Sequence, residues 1–205
     1  MSAAFSSCLT LALTLTGCAL LSKAEPLDVS YFEPAEPAHD RAPRADEPNM
    51  AELRLDRVTS AEHLESRIAY REGGVEIGFY DELRWAERPE VYLRRALARA
   101  LFRDRPLTQA VSGAHPALEV ELLSFEEIRD PDQHRARVSL HLLLRDGARV
   151  IATDTVTTER PIAASGGSGL APALGGALDE AASRAAERTL SALEADESRS
   201  EARAP

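Results

Sequence analysis

Apolar and polar residues alternate along several short stretches of the chain, and a period of two residues is typical of half-buried β-strands. Leu53 and Leu55 alternate with charged residues, and farther along Leu118, Val120 and Leu122 alternate with glutamates. The pattern predicts a strand in each of residues 27–32, 51–58, 117–125, 136–144 and 149–159, and a strand pair in residues 66–80.

The strand pair in residues 66–80 is the clearest local signal. Apolar side chains alternate on both sides of Gly73-Gly74, beginning with Ile68 and ending with Phe79. Two glycines tolerate the positive φ angles that a two-residue turn requires. The stretch therefore predicts a β-hairpin.

Two stretches have a helical period instead. The first begins at Pro89, which suits a first helical turn, and is followed by Pro106, which ends it. The second runs from about Leu170 to Leu193 and contains so many alanines that it must lie close to its partner. The apolar stripe of the first helix consists of Leu93, Ala96, Leu97, Ala100 and Leu101.

The order of strands, helix, strands and helix predicts an α+β two-layer sandwich. Because short turns join most of the strands, we expect a mostly antiparallel sheet of about six or seven strands with the two helices on one face. An exposed sheet edge would also permit self-association or the addition of a partner's strand.

Polar stretches mark the boundaries of this domain, which we place at residues 27–194. Residues 33–49 contain four of the 12 prolines and almost no apolar residues, which predicts an extended loop. The polar residues 195–205 predict a disordered tail.

Composition and charge exclude one class of partner. The chain has 205 residues, 44% of them hydrophobic, and a formal net charge of −10. Such an acidic chain repels polyanions, so we do not expect it to bind nucleic acid.

The first 17 residues carry no charge and contain an apolar run from Leu9 to Leu15. The run is too short to span a bilayer and predicts a signal peptide in residues 1–17. Cys8 lies inside this apolar stretch and Cys18 closes it, so the two cysteines offer no disulfide framework.

The sequence Leu15-Thr16-Gly17-Cys18 resembles a bacterial lipobox. The resemblance implies cleavage before Cys18, diacylglycerol on its thiol and acylation of its new amino group, with residues 18–26 as the lipidated tether. The alternative is a chance cysteine at the end of a signal peptide. Ala19 follows the cysteine, and by the same resemblance it favours the outer membrane over the inner membrane.

Catalytic and metal-binding patterns are missing from the sequence. The five histidines do not form an H-E-x-x-H pattern, and the serines do not form a G-x-S-x-G elbow. The glycine-rich residues 165–169 lack the Gly-Lys-Ser/Thr of a phosphate loop. We interpret Glu126 and Glu127 as solvated surface carboxylates. We therefore expect no enzyme activity, no metal site and no cofactor.

Residues 94–105 carry five arginines against one aspartate. This arginine face is either a solvated surface with ion pairs to sheet carboxylates, or a docking patch for an acidic partner or lipid headgroups. Arg94, Arg95 and Arg99 are its candidate partner-binding residues.

Trp85 is the only tryptophan of the chain and lies among charged residues. It follows the predicted hairpin and precedes the first helix. We expect its side chain to fold back and close the end of the core, and the alternative is a partner anchor, because tryptophan is common at binding hot spots.

The stretch from Leu53 to Glu90 resembles the ABC-type transport auxiliary lipoprotein family, which includes the PqiC-like proteins. The layout of the resemblance covers nearly the whole chain after Cys18. Its departures are the long proline-rich insertion after Phe32 and the uncharged start of the signal peptide. The residues that carry the resemblance are Tyr31, Ile68, Tyr70, Arg71, Tyr80, Trp85 and Pro89.

The resemblance implies an outer-membrane lipoprotein that faces the periplasm and works with an MCE-domain substrate-binding protein and an ABC permease in lipid transport. Its role would be docking, with Tyr80 and Trp85 as further candidate partner-binding residues. Two alternatives are an assembly lipoprotein, either pilotin-like or a barrel-assembly accessory, and a soluble lipid carrier. An alanine-rich helix packed close to a sheet argues against the deep cavity that a carrier needs.

Overall fold

The computed structural model describes residues 27–35, 51–163 and 166–203 of the chain. Its elements follow the order of strands, helix, strands and helix that the sequence predicts. They are β1 (Ser30–Phe32), β2 (Ala51–Ser60), β3 (Arg67–Glu72), β4 (Glu76–Trp85), α1 (Pro89–Phe102), β5 (Leu107–Gln109), β6 (Ala117–Arg129), β7 (His134–Asp146), β8 (Arg149–Pro161) and α2 (Gly167–Glu201).

Strands that are joined by short turns pair antiparallel, as predicted. β3 and β4 form the predicted hairpin, in which Gly73 and Gly74 adopt φ angles of 57° and 79°. Val75 also lies in the turn, because Glu72 pairs with Glu76, so the loop is one residue longer than predicted. β6, β7 and β8 form an antiparallel meander.

The expectation of a mostly antiparallel sheet of about six or seven strands is wrong. The sheet is mixed and has eight strands. β1 pairs parallel with β4, β2 pairs parallel with β5 and with β6, and β3 pairs parallel with β6. For the pairs of β2 and β3 with β5 and β6, the physical reason is the crossover through α1, which carries the chain across the sheet and lets it return in the same direction. β1 and β4 both precede α1, and their parallel pairing follows from the long connection through residues 33–50, β2 and β3.

β6 lies at the centre of the sheet and has two partners along one edge. β2 pairs with residues 117–122 of β6, and β3 pairs with residues 126–129. β7 pairs along the whole opposite edge, with a shift in register between Leu122 and Ser124. Such a bulge re-aims the side chains that follow it. After the bulge, Phe125 and Glu127 lie opposite the buried residues Val138 and Ala136, on the face that the helices cover.

The two helices pack against each other on one face of the sheet. α1 begins at Pro89, and all five residues of its predicted apolar stripe are buried. The buried side of α2 is rich in alanine, so this helix approaches its neighbours closely, as predicted.

α2 is longer than predicted at both ends, because it begins at Gly167 and ends at Glu201. It therefore continues through most of the segment that the sequence analysis predicts as a disordered tail. An ion pair supports the extension: Arg149 Nη1 of β8 lies 2.7 Å from Asp196 Oδ1. Sequence composition does not show that the tail contains a partner for a distant strand.

Residues 30–35 form a segment that we call the N-terminal strap. Its strand, β1, is shorter than the predicted strand 27–32 and runs parallel to the last residues of β4. The strap then crosses onto α2, where the Phe32 ring faces Gly167 and the Ala35 backbone faces Gly175. A Cβ atom on either glycine would lie 2.3 Å from the strap. At Gly175 it would meet backbone, so the close approach requires glycine there, whereas at Gly167 the Phe32 ring would have to move.

Several predictions concern residues outside the described part of the chain. These are the signal peptide 1–17, the lipid attachment at Cys18, the tether 18–26 and most of the loop 33–49. Among the described helices, none is both long enough and apolar enough to cross a membrane.

Candidate partner-binding site

A cluster of polar and aromatic side chains lies on the helix-covered face of the sheet, next to the beginning of α2. We call it the Glu127 cluster. Strand pairing brings its members together, because Tyr70 of β3 pairs with Glu127 of β6, and Arg129 of β6 pairs with His134 of β7. The cluster consists of Tyr70, Tyr80, Glu127, Arg129 and His134.

Glu127 is the centre of the cluster and is only 4% exposed. The hydroxyl of Tyr80 donates a hydrogen bond to Glu127 Oε2, and Arg129 Nε donates to the same oxygen at 3.0 Å. His134 Nδ1 lies 2.7 Å from the other carboxylate oxygen. A buried carboxylate needs such partners, because an unpaired buried charge is strongly destabilising.

Arg129 also stacks on the two tyrosines of the cluster. Its guanidinium carbon lies 3.5 Å from the centroid of the Tyr70 ring and 4.8 Å from that of the Tyr80 ring. The two rings meet edge to face, with their centroids 5.6 Å apart. Stacking and hydrogen bonding together fix the orientation of the Tyr80 side chain.

Burial raises the pKa of the Tyr80 hydroxyl above its usual value, and the hydrogen bond to Glu127 adds to the rise. An ionised tyrosine next to the Glu127 carboxylate would place two negative charges in contact. The hydroxyl therefore keeps its proton at neutral pH and acts as a hydrogen-bond donor.

A cavity of about 410 Å³ lies beside the cluster, between β4, β6, the start of β7 and the beginning of α2. Tyr80, Glu127 and His134 line one side, and Ile162 and Gly166 line another. Within the described residues, no group of three or more His, Cys, Asp and Glu side chains could hold a metal ion.

The interpretation of Glu126 and Glu127 as solvated carboxylates is wrong. Glu126 is fully buried, and both of its oxygens accept hydrogen bonds from Arg71, at 2.9 and 3.1 Å. The sequence contains a signal for this arrangement, since Ile128 continues the apolar pattern past both glutamates. A strand that extends to Arg129 places both carboxylates inside the sheet instead of in a loop.

Trp85 lies in the core with 2% of its surface exposed. Its ring centroid lies 4.9 Å from that of Phe125 of β6 and 6.2 Å from that of Tyr92 of α1. The side chain therefore closes the core between the end of β4 and the start of α1. Because it is buried, Trp85 does not contribute to a docking surface in this structure.

The three candidate arginines of α1 each have a partner within the domain. Arg94 donates to the Asp56 carbonyl oxygen at 3.0 Å, and Arg95 pairs with Glu87. Arg99 lies 3.3 Å from Asp179 of α2 and is mostly buried. Arg94 and Arg95 remain on the surface, while Arg99 joins the two helices.

The structure thus divides the five candidate partner-binding residues of the sequence analysis among three places. Tyr80 belongs to the Glu127 cluster, Trp85 to the core, and the three arginines to α1. Sequence analysis missed the other cluster members, since no local motif links Glu127 to His134.

The fold itself is known from solved structures. The crystal structure of protein XCC0632 from Xanthomonas campestris matches with a TM-score of 0.69 and 21% identity, over 82% of this chain and 99% of that one. A crystal structure described only as an uncharacterized protein matches with a TM-score of 0.60 and 15% identity, over 78% and 97% of the two chains. At these identities, the likeness shows the fold alone.

A comparison with family models identifies the family as well as the fold. The model for the ABC-type transport auxiliary lipoprotein component matches residues 33–186, which is most of the chain and most of the described domain. The chain therefore belongs to the ABC-type transport auxiliary lipoprotein component family, and the resemblance in the sequence analysis is confirmed. A search of curated proteins finds no match.

Proposed function

We propose that this protein is an outer-membrane lipoprotein that docks the periplasmic MCE-domain protein of an ABC-type lipid transport system. The observation that carries the proposal is the family match over residues 33–186, because it makes the protein an auxiliary component of a transport system. An auxiliary component of this kind acts by binding, and we propose no catalytic step for it.

In this proposal a lipid on Cys18 attaches the protein to the membrane. Metabolic labelling with palmitate in cells tests this directly. We expect the wild-type protein and the Cys8→Ala variant to incorporate label, and the Cys18→Ala variant to incorporate none. Fractionation should place the labelled protein in the outer membrane, and label in the inner membrane would refute the location.

The docking surface that we propose includes the exposed part of α1 around Arg94 and Arg95. Both guanidinium groups lie at the surface although each has an intramolecular partner, and an acidic partner could compete for them. Tyr80 is a second candidate contact because it lines the cavity beside the Glu127 cluster.

Crosslinking in cells tests the docking partner. A photo-reactive residue at position 94 or 95 should capture an MCE-domain protein, whereas the same residue at Thr155 on β8 serves as the matched control. Charge reversal of Arg94 and Arg95 together should weaken capture, since it replaces two cations with two anions.

The principal alternative is a structural lipoprotein that assists assembly in the outer membrane. If the crosslinks recover a secretin or a barrel-assembly complex and no MCE-domain protein, the alternative replaces our proposal. Capture of an MCE-domain protein together with its permease would exclude it.

A further inference from the structure

The β3–β4 hairpin ends in an exposed apolar tip, which consists of Val75 in the turn and Ile77 at the start of β4. Val75 is 85% exposed, and the positive φ angles of the turn lie at the two glycines before it. Neither turn stability nor the core requires an apolar side chain at this position, so the tip is a candidate contact with an external surface.

The chain before β1 runs toward the hairpin tip. Because β1 runs parallel to β4, with Ser30 beside Leu83, the residues before Ser30 extend toward the hairpin tip. Glu76 at the tip lies seven residues before Leu83 along β4, which corresponds to about 24 Å. The chain therefore leaves the domain toward the same end of the sheet as the tip.

The length of chain between Cys18 and Leu27 is sufficient to span the distance to the tip. Leu27 lies nine residues after Cys18, and nine extended residues span at most about 31 Å. From the level of Leu27, the tip is about 14 Å away, since roughly four residues of β4 separate Tyr80 from Glu76. A lipid on Cys18 would thus hold the hairpin tip within reach of the bilayer surface.

The charges around the tip favour one kind of membrane contact. Glu72 and Glu76 face each other across the base of the turn, so an acidic pair borders the apolar tip. Acidic residues oppose deep insertion and do not attract anionic lipids. The tip is therefore suited to a shallow apolar contact with a zwitterionic surface, at the depth of about 5–10 Å that interfacial side chains reach.

We propose that the β3–β4 hairpin tip is a membrane-contact point that sets the orientation of the anchored domain, with the start of β6 at Ala117 at the end away from the bilayer. The proposal rests on the proposed lipid attachment at Cys18. Leu27 is also exposed and lies on the stretch that leads from β1 toward the tip.

Tryptophan fluorescence on vesicles tests the contact. The chain from Cys18 onward contains every described residue, and Cys18 is its only thiol. This thiol is coupled to a maleimide-headgroup lipid in phosphatidylcholine vesicles. One variant carries Val75→Trp, and emission is compared with and without brominated phosphatidylcholine.

Val111 provides the matched control, because it is a valine with 88% exposure that precedes the opposite end of β6. We expect emission from Val75→Trp to shift to shorter wavelength and to fall about twofold with brominated lipid, as for an interfacial side chain. We expect Val111→Trp to show neither change. Trp85 is buried and contributes the same background in both variants.

Equal quenching of both variants, quenching of Val111→Trp alone, or no quenching of either would overturn the proposal. A protein partner that covers the tip would give the last of these results. Because the maleimide reaction attaches the protein to the vesicle, the outcome does not depend on acylation of Cys18 in cells. Failure of palmitate labelling at Cys18 would refute the anchor separately.

Discussion

The backbone of Ala35 lies directly against Gly175 in α2: a Cβ atom on Gly175 would be 2.3 Å from the Ala35 carbonyl oxygen. A glycine inside a helix costs about 1 kcal/mol relative to alanine. The N-terminal strap explains why α2 carries one here, since no other residue lets the strap lie so close. Contact with the strap, and not helix stability, determines the residue at this position.

The neighbouring glycine makes this explanation testable. At Gly176 a Cβ atom would meet only the flexible Arg160 side chain, at 3.1 Å, so Gly176→Ala should raise the free energy of unfolding by up to about 1 kcal/mol. Gly175→Ala gains the same helix propensity but displaces backbone, and should lower the free energy by about 1–3 kcal/mol. Urea unfolding measures both, and an equal gain for the two variants would contradict the strap contact.

Trp85 should be a determinant of stability. Trp85→Ala removes a buried ring that packs on Phe125 and Tyr92, and we expect a loss of about 3–5 kcal/mol in the free energy of unfolding. Trp85→Phe should lose less, because it retains part of the ring contact. Denaturation followed by circular dichroism is the suitable measurement, since both variants remove the only tryptophan. A Trp85→Ala protein that unfolds like the wild type and fails to bind its partner would instead make Trp85 an anchor.

Glu127 should hold the cluster around it together. Glu127→Gln leaves Arg129 without its carboxylate, and because the Arg129 side chain is 25% exposed we expect a loss of about 1–3 kcal/mol in the free energy of unfolding. Glu121→Gln is the control, because Glu121 is an exposed carboxylate on the same strand, and its loss should stay within about 0.5 kcal/mol. Similar stabilities for the two variants would show that the Glu127 cluster does not contribute to folding.

The raised pKa of Tyr80 predicts a dependence of stability on alkaline pH. Unfolded tyrosine loses its proton near pH 10, whereas folded Tyr80 keeps its proton to higher pH. Above about pH 10 the folded state therefore binds more protons, so its free energy of unfolding falls as pH rises through the folded pKa. Below about pH 10 the contribution of Tyr80 is complete.

Tyr80→Phe removes this titration, so the variant should lose less stability between neutral and alkaline pH than the wild type does. Unfolding in urea at a series of pH values, with ultraviolet absorbance of the ionised phenol in parallel, measures both quantities. Identical pH slopes for the two proteins would contradict the shift. Tyr92, whose pKa burial also raises, contributes the slope that remains in Tyr80→Phe.

Local pattern was sufficient to predict most elements of the fold. The hairpin around Gly73-Gly74, the start of α1 at Pro89 and the long strands β6 to β8 depend on near neighbours in sequence, which the periodicity records. Strand direction depends on distant partners instead. The parallel pairing of β2 and β3 with β6 follows from the path through α1, and no stretch of sequence contains that information.

The site was less predictable than the fold for the same reason. Tyr80 was a candidate because it belongs to the stretch that carries the family resemblance. Glu127 and His134 join the cluster only through the register of the strands. A bulge between Leu122 and Ser124 shifts that register, and a pattern of alternation does not predict such a shift reliably. The arginine face of α1 was visible in the sequence, but the partners of its side chains were not.

The parallel pairing of β1 with β4 also determines how the domain bears mechanical load. A pull on the chain before Leu27 acts along the axis of β1, so the hydrogen bonds to β4 share the force in shear and do not open one after another. The Phe32 ring on Gly167 and the Ala35 backbone on Gly175 add resistance behind that strand. For the docking function that we propose, such an attachment would resist tension that reaches the domain from a lipid anchor at Cys18.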